Sequence, residues 1–171
     1  TLGWFTTAFP VYLEKSGTNI KDTLVSVKEQ LRKIPKNGIG YGLLRYLNRD
    51  VELGEAMNKW LAPEIVFNYL GQFDQLGNSD GLFQLSNELT LLDRNPNSAR
   101  TCLLDVSGLV INKQLKIVIS YSTNRHKSAS IESFASLFKD ELLQVIQHCT
   151  SDGAGGYTPS DFGNVDLNQD A

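Results

Sequence analysis

Glu64-Ile65-Val66-Phe67-Asn68-Tyr69-Leu70-Gly71-Gln72-Phe73-Asp74 contains the clearest strand in this chain, over 64–70, and the fold is read outward from it. Its side chains alternate, so Phe67, Tyr69 and Gly71 share one face while Val66, Asn68 and Leu70 share the other. A tyrosine and an amide inside an otherwise apolar strand need hydrogen-bond partners or a chemical task. Adjacent strand residues point opposite ways, so only one of Asn68 and Tyr69 faces a given cavity unless a bulge intervenes.

On the C-terminal side, Asn78-Ser79-Asp80-Gly81 reads as a turn, Leu82 to Leu92 as a strand with ragged alternation, and Asn95-Pro96-Asn97-Ser98 as a loop. Thr101 to Ile111 and Leu115 to Tyr121 read as a hairpin about Asn112-Lys113. A helix starts at Ser128 or Ser130, with Ile131, Phe134, Phe138, Leu142, Val145 and Ile146 as its apolar stripe. On the N-terminal side, Gly3 to Leu13 is expected to be a strand, bent or edge-bound at Pro10. Asn19 opens a helix in which Ile20, Leu24, Val27, Leu31 and Ile34 recur at helical spacing, with Pro35 ending it. Gly38, Gly40 and Gly42 predict a tight turn allowing close backbone packing. Leu43 to Leu47 and Asp50 to Leu61 predict a short and a weak helix. Helices interleaved with largely antiparallel strands imply an α+β two-layer sandwich.

The chain has 171 residues, 41% hydrophobic and 20% charged, enough to bury roughly 70% of the unfolded surface in one domain or lobe. A net charge of −3 with scattered basic residues argues against a nucleic-acid partner. No apolar stretch approaches the roughly 18 to 20 residues that span a bilayer, so no membrane partner is expected. Cys102 and Cys149 lack metal-ligand spacing and read as free thiols of a cytoplasmic protein. His126 and His148 read as a surface or capping residue and a helix-end residue, neither in a metal site. The absence of a Gly-x-Ser-x-Gly elbow or a Cys/His pair leaves hydrolase readings unsupported. The segment after Cys149 turns to Gly, Ser, Asp and Asn and reads as a linker.

Three runs together resemble the last three signature motifs of epimerization domains of nonribosomal peptide synthetases, which belong to the condensation-domain superfamily. They are Gly3-Trp4-Phe5-Thr6-Thr7-Ala8-Phe9-Pro10-Val11, Pro35-Lys36-Asn37-Gly38-Ile39-Gly40-Tyr41-Gly42 and Phe67-Asn68-Tyr69-Leu70-Gly71-Gln72-Phe73-Asp74. Their order and spacing match the family. The hairpin departs from it, with Asn112-Lys113-Gln114 in place of a glycine-containing turn and Ile119 where a tryptophan is common. The resemblance implies a chloramphenicol-acetyltransferase-like lobe, the C-terminal half of such a domain, over residues 1–156. Residues 157–171 are then a flexible tail or linker towards a docking segment.

The implied reaction is inversion of the α-carbon of an aminoacyl or peptidyl thioester. The substrate is tethered through 4'-phosphopantetheine to a peptidyl carrier protein, with no cofactor bound directly. The family's Asn-Tyr-Leu-Gly motif lines its reaction tunnel, which makes Tyr69 and Asn68 the catalytic candidates. Tyr69 would be an acid/base or enolate partner and Asn68 an orienting amide. Trp4, Phe5 and Tyr41 are candidates for the tunnel wall, although core packing suits Trp4 and Phe5 better. The family's His-His-x-x-x-Asp-Gly and Glu-Gly-His-Gly-Arg motifs are missing. Both lie in the N-terminal lobe, so that lobe is an expected partner and the isolated chain is expected to be inactive. Two other readings stay open, a peptide-bond-forming condensation lobe and a non-catalytic module that binds a carrier or, through its acidic tail, a downstream synthetase subunit.

Overall fold

A computed structural model describes residues 6–59, 63–72 and 98–162. The chain divides into two compact units, Thr1–Leu61 with Leu137–Ala171, and Ala62–Ser136. Trp4, Phe5, the turn at 78–81, the strand expected over 82–92 and most of the loop at 95–98 lie outside the described residues.

In the first unit, helix α1 spans Ile20–Arg32. The Asn19 side chain accepts from the Asp22 N–H at 2.8 Å, filling one of the helix's unsatisfied donors. A 3-10 turn follows at Pro35–Gly38, then helix α2 at Ile39–Gly42, a π-helical turn at Leu43–Leu47 and helix α3 at Val51–Asn58. Asp50 caps α3 by accepting from Leu53 N–H, and Arg45 donates to the carbonyl of buried Met57.

Two expectations fail in this unit. Residues 6–13 form no strand. Pro10 has no N–H to give a ladder. The segment is tied by side-chain hydrogen bonds instead: Thr7 Oγ1 donates to the Asn37 carbonyl, and the Gln30 amide exchanges two 2.8 Å hydrogen bonds with the backbone of Glu14. The glycine run is also mostly helical rather than a turn. Only Gly38 fits the tight-turn reading, with φ at 75° and the Phe9 ring occupying the place where a Cβ would stand. Gly40 and Gly42 face open space.

The second unit holds a three-stranded sheet in the order β1-β2-β3, with β1 at Ile65–Gln72, β2 at Leu104–Ile111 and β3 at Gln114–Tyr121. The pair β2-β3 is the expected hairpin. Asn112 and Lys113 both take positive φ, 52° and 59°, as a two-residue primed turn requires. The pair β1-β2 is parallel, contrary to the largely antiparallel expectation. A parallel pair needs a connection of about a dozen residues or more, and 31 residues separate the two strands (73–103). Helix α4 runs from Ser128 to Cys149, with Ile131 buried and Phe134, Phe138, Leu142 and Val145 half-buried along the expected stripe.

Residues 157–162 are compact within the segment expected to be linker. Pro159–Asp161 form a 3-10 turn whose capping box joins Thr158 and Asp161. Thr158 is buried.

Candidate functional site

The register of the sheet decides where Asn68 and Tyr69 stand. One face carries the rows Ile65–Leu104–Tyr121, Phe67–Val106–Ile119 and Tyr69–Gly108–Ile117. The other carries Val66–Asp105–Ser120 and Asn68–Ser107–Val118. Tyr69 thus belongs to an apolar face and Asn68 to a partly polar one. The bulge in β1 comes after Tyr69, where Gly71 adopts φ 87° and the register shifts before Gln72. It leaves the opposed pointing of Asn68 and Tyr69 intact.

On the apolar face, Val106 is only 3% exposed, and the Tyr121 hydroxyl donates to Ser128 at the start of α4. Tyr69, at the other end of the rows, is 51% exposed. It neighbours Gly108: a Cβ there would meet Tyr69 Cδ2 at 3.4 Å, an ordinary contact, and Ile117 Cδ1 at 3.0 Å, a tight one. On the opposite face, Ser107 Oγ donates to Asp105 at 3.1 Å, and Arg100 donates to the Ser120 carbonyl. These polar groups flank the exposed Asn68 amide in the register, and spacing in the sequence alone does not single them out. Alternation from β1 into the hairpin is the available signal, but it needs the parallel register to place Ser107 opposite Asn68.

Of the tunnel-wall candidates, Tyr41 is half-buried in α2, within the first unit, and Trp4 and Phe5 lie outside the described residues. His126 is half-buried rather than on the surface, and its Nε2 has no hydrogen-bond partner among the described residues. Cys102 and Cys149 are free. Among the described residues no group of His, Cys, Asp and Glu could hold a metal ion, and no helix is long and apolar enough to cross a membrane.

The first unit has a polar constellation of its own, between α1 and the 158–161 turn. Asp161 receives Lys28 and Arg32, each at 2.5 Å, and Glu29 accepts from the Ser160 hydroxyl at 2.6 Å. Lys28, then the Thr158 N–H and Arg32, hold the Asp161 carboxyl far below the usual carboxylate range. The Ser160 hydroxyl, followed by that of Thr158, lowers Glu29. Beside this docking lies a groove of about 750 Å³ lined by Lys21, Glu29, Gln30, Lys33, Tyr157 and Phe162. Its charges are mixed, and its built part is the latch between helix and turn. The sequence signal for that latch is the Thr158-Pro159-Ser160-Asp161 spacing of a capping box.

The Condensation domain family model matches residues 1–167. Tyrocidine synthase 2 of Brevibacillus parabrevis is 39% identical over 171 residues, covering 99% of this chain and 5% of that protein. Surfactin synthase subunit 1 of Bacillus subtilis (strain 168) is 36% identical over 171 residues, covering 99% of this chain and 5% of that protein. The crystal structure of the epimerization domain from the third module of tyrocidine synthetase B superposes with a TM-score of 0.75 at 38% identity, over 87% of this chain and 32% of that one. The chain thus spans a small fraction of the synthases it matches and about a third of the solved domain, with which it shares a mixed helix-and-sheet, chloramphenicol-acetyltransferase-like fold. This chain belongs to the Condensation domain family of nonribosomal peptide synthetases.

Proposed function

We propose that the chain is the C-terminal half of an epimerization domain, acting in the cytoplasm on an aminoacyl or peptidyl thioester carried by the phosphopantetheine arm of a carrier protein. The observation that carries this reading is the strand of the Asn-Tyr-Leu-Gly motif. In β1, Ile65, Phe67, Tyr69 and Leu70 are all 48% exposed or more, so both faces remain available to a second half and a substrate. The match to a solved epimerization domain supports the same reading.

Inversion proceeds by removal of the α-proton, with the C–H electron pair passing into the thioester carbonyl to give an enolate. A proton then returns to the opposite face of the α-carbon. No net oxidation occurs. Tyr69, a phenol on a half-open apolar face, is suited to hand a proton to carbon or to hydrogen-bond the enolate oxygen. Asn68, on the other face of a regular strand, serves as a positioning amide rather than as Tyr69's partner at the same carbon. The opposing group belongs to the N-terminal lobe, since two-sided proton transfer needs groups on both faces of the α-carbon.

The family's name favours a second reading, peptide-bond formation between two carrier-bound substrates. One experiment separates the two. The intact synthetase module is loaded with an L-aminoacyl carrier in deuterated water, and the thioester is hydrolysed and its product analysed. Epimerization gives deuterium at the α-carbon and a mixture of D and L products. Dipeptide formation with no α-deuterium establishes condensation and overturns the proposal. Capture of a carrier or of a downstream synthetase with neither reaction would favour the docking-module reading.

A further inference from the structure

Gly108 stands in the interior of β2, where a glycine loses more conformational freedom on folding than other residues and supplies no side chain to pack. Its backbone does not require it, because its φ is not among the positive ones. Its neighbours do. Gly108 is buried, paired to Tyr69 on one side and Ile117 on the other, and the site of its missing Cβ lies 3.4 Å from Tyr69 Cδ2 and 3.0 Å from Ile117 Cδ1. An aromatic ring laid over a cross-strand glycine is a recognised way of recovering packing at such a position.

We propose that Gly108 is a positioning residue for Tyr69: without a side chain it leaves room for Ile117 and the phenol ring to pack together over β2, and so fixes where the hydroxyl meets the substrate. The inference rests on the catalytic role proposed for Tyr69, but the packing itself is a property of the sheet and is measurable apart from it. A methyl at 108 touches the ring at ordinary contact distance but crowds Ile117 Cδ1 at 3.0 Å, and the relief of that crowding presses on the ring. A valine fills the room and lifts the ring off the strand. Displacing a reacting group by about 1 Å costs on the order of 100-fold in rate.

The test has two readouts. In the intact synthetase module, α-proton exchange on a carrier-bound aminoacyl thioester is measured for Tyr69→Phe, Gly108→Ala, Gly108→Val, Gly108→Ala with Ile117→Val, and Gly108→Val with Tyr69→Phe. In the same samples, NMR of 13C-labelled tyrosine follows the Tyr69 ring. Gly108→Ala should lower kcat about 3- to 10-fold at unchanged KM. Removing the clashing Cδ1 by Ile117→Val should return the rate to within about 2-fold of wild type. Gly108→Val should match Tyr69→Phe, and the double variant should be no slower than either single, as expected of residues acting through one group. A Tyr69 ring signal unmoved in Gly108→Val, or multiplicative losses in the double variant, overturns the inference. A moved ring with a Tyr69→Phe rate equal to wild type keeps the packing and refutes the role proposed for Tyr69.

Discussion

Replacing Phe67 by alanine measures how much of this sheet is left uncovered. Phe67 and Val106 stand side by side in one row of the apolar face. Phe67 is 62% exposed and Val106 3%. Full burial of a phenylalanine is worth roughly 1.5–3 kcal/mol, and only about two-fifths of Phe67 is withdrawn from water, so Phe67→Ala should destabilise this chain by about 1 kcal/mol. Val106→Ala removes the equivalent of two methylenes at about 0.8 kcal/mol each and leaves a small cavity, giving about 2–3 kcal/mol. The smaller side chain should therefore cost more. Urea titrations of the chain give both values as shifts of the midpoint at constant slope. In the intact synthetase module the order should change. If a second half packs on β1, Phe67 becomes buried and its deletion should cost about 3 kcal/mol or more. A Phe67→Ala cost in the chain equal to or above that of Val106→Ala would refute the exposure argument. A cost near 1 kcal/mol in the intact module would mean that nothing covers this face there.

Other predictions follow from single features. Asp161 is held below its ordinary value, so its contribution to docking the 158–161 turn is complete above about pH 4 and is lost as the pH falls through its lower folded value. Glu29 adds to the same dependence. An NMR titration of the Tyr157 and Phe162 rings, 5.5 Å apart, should show release only in acid, and Asp161→Asn should weaken docking at neutral pH and flatten that response. Gly38→Ala should destabilise by more than about 2 kcal/mol, combining a left-handed φ with collision against Phe9, whereas Gly71→Ala at φ 87° in open space should cost about 1 kcal/mol from backbone strain alone. Thermal unfolding of both variants checks the order.

Local periodicity made α1, the β2-β3 hairpin, α4 and the alternation of β1 legible in the sequence, because each is set by its own residues: Asn19 as a cap, Asn112-Lys113 as a primed turn, the Ile131 stripe. Most of what stayed illegible depended on partners far along the chain. Residues 6–13 have the composition of a strand, but the N-terminal segment bonds to Gln30 and Asn37 instead of a ladder. Gly40 and Gly42 propagate a helix in spite of their low propensity. The 158–161 turn read as linker because Lys28 and Arg32, which hold it, are 133 and 129 residues away from Asp161. At the candidate site, Asn68 and Tyr69 could be placed on opposite faces from alternation alone. The pairing of Gly108 with Tyr69 needed the β1-β2 register, which no local pattern encodes.

The most direct test of the account is the rate at which the intact module exchanges the α-proton of a carrier-bound aminoacyl thioester, compared between wild type and Tyr69→Phe. Tyr69→Phe should lose about 100-fold or more, the usual contribution of a positioned acid or base, with an unchanged fold. Wild-type exchange in the Tyr69→Phe variant would contradict it and return the phenol to the packing of the sheet.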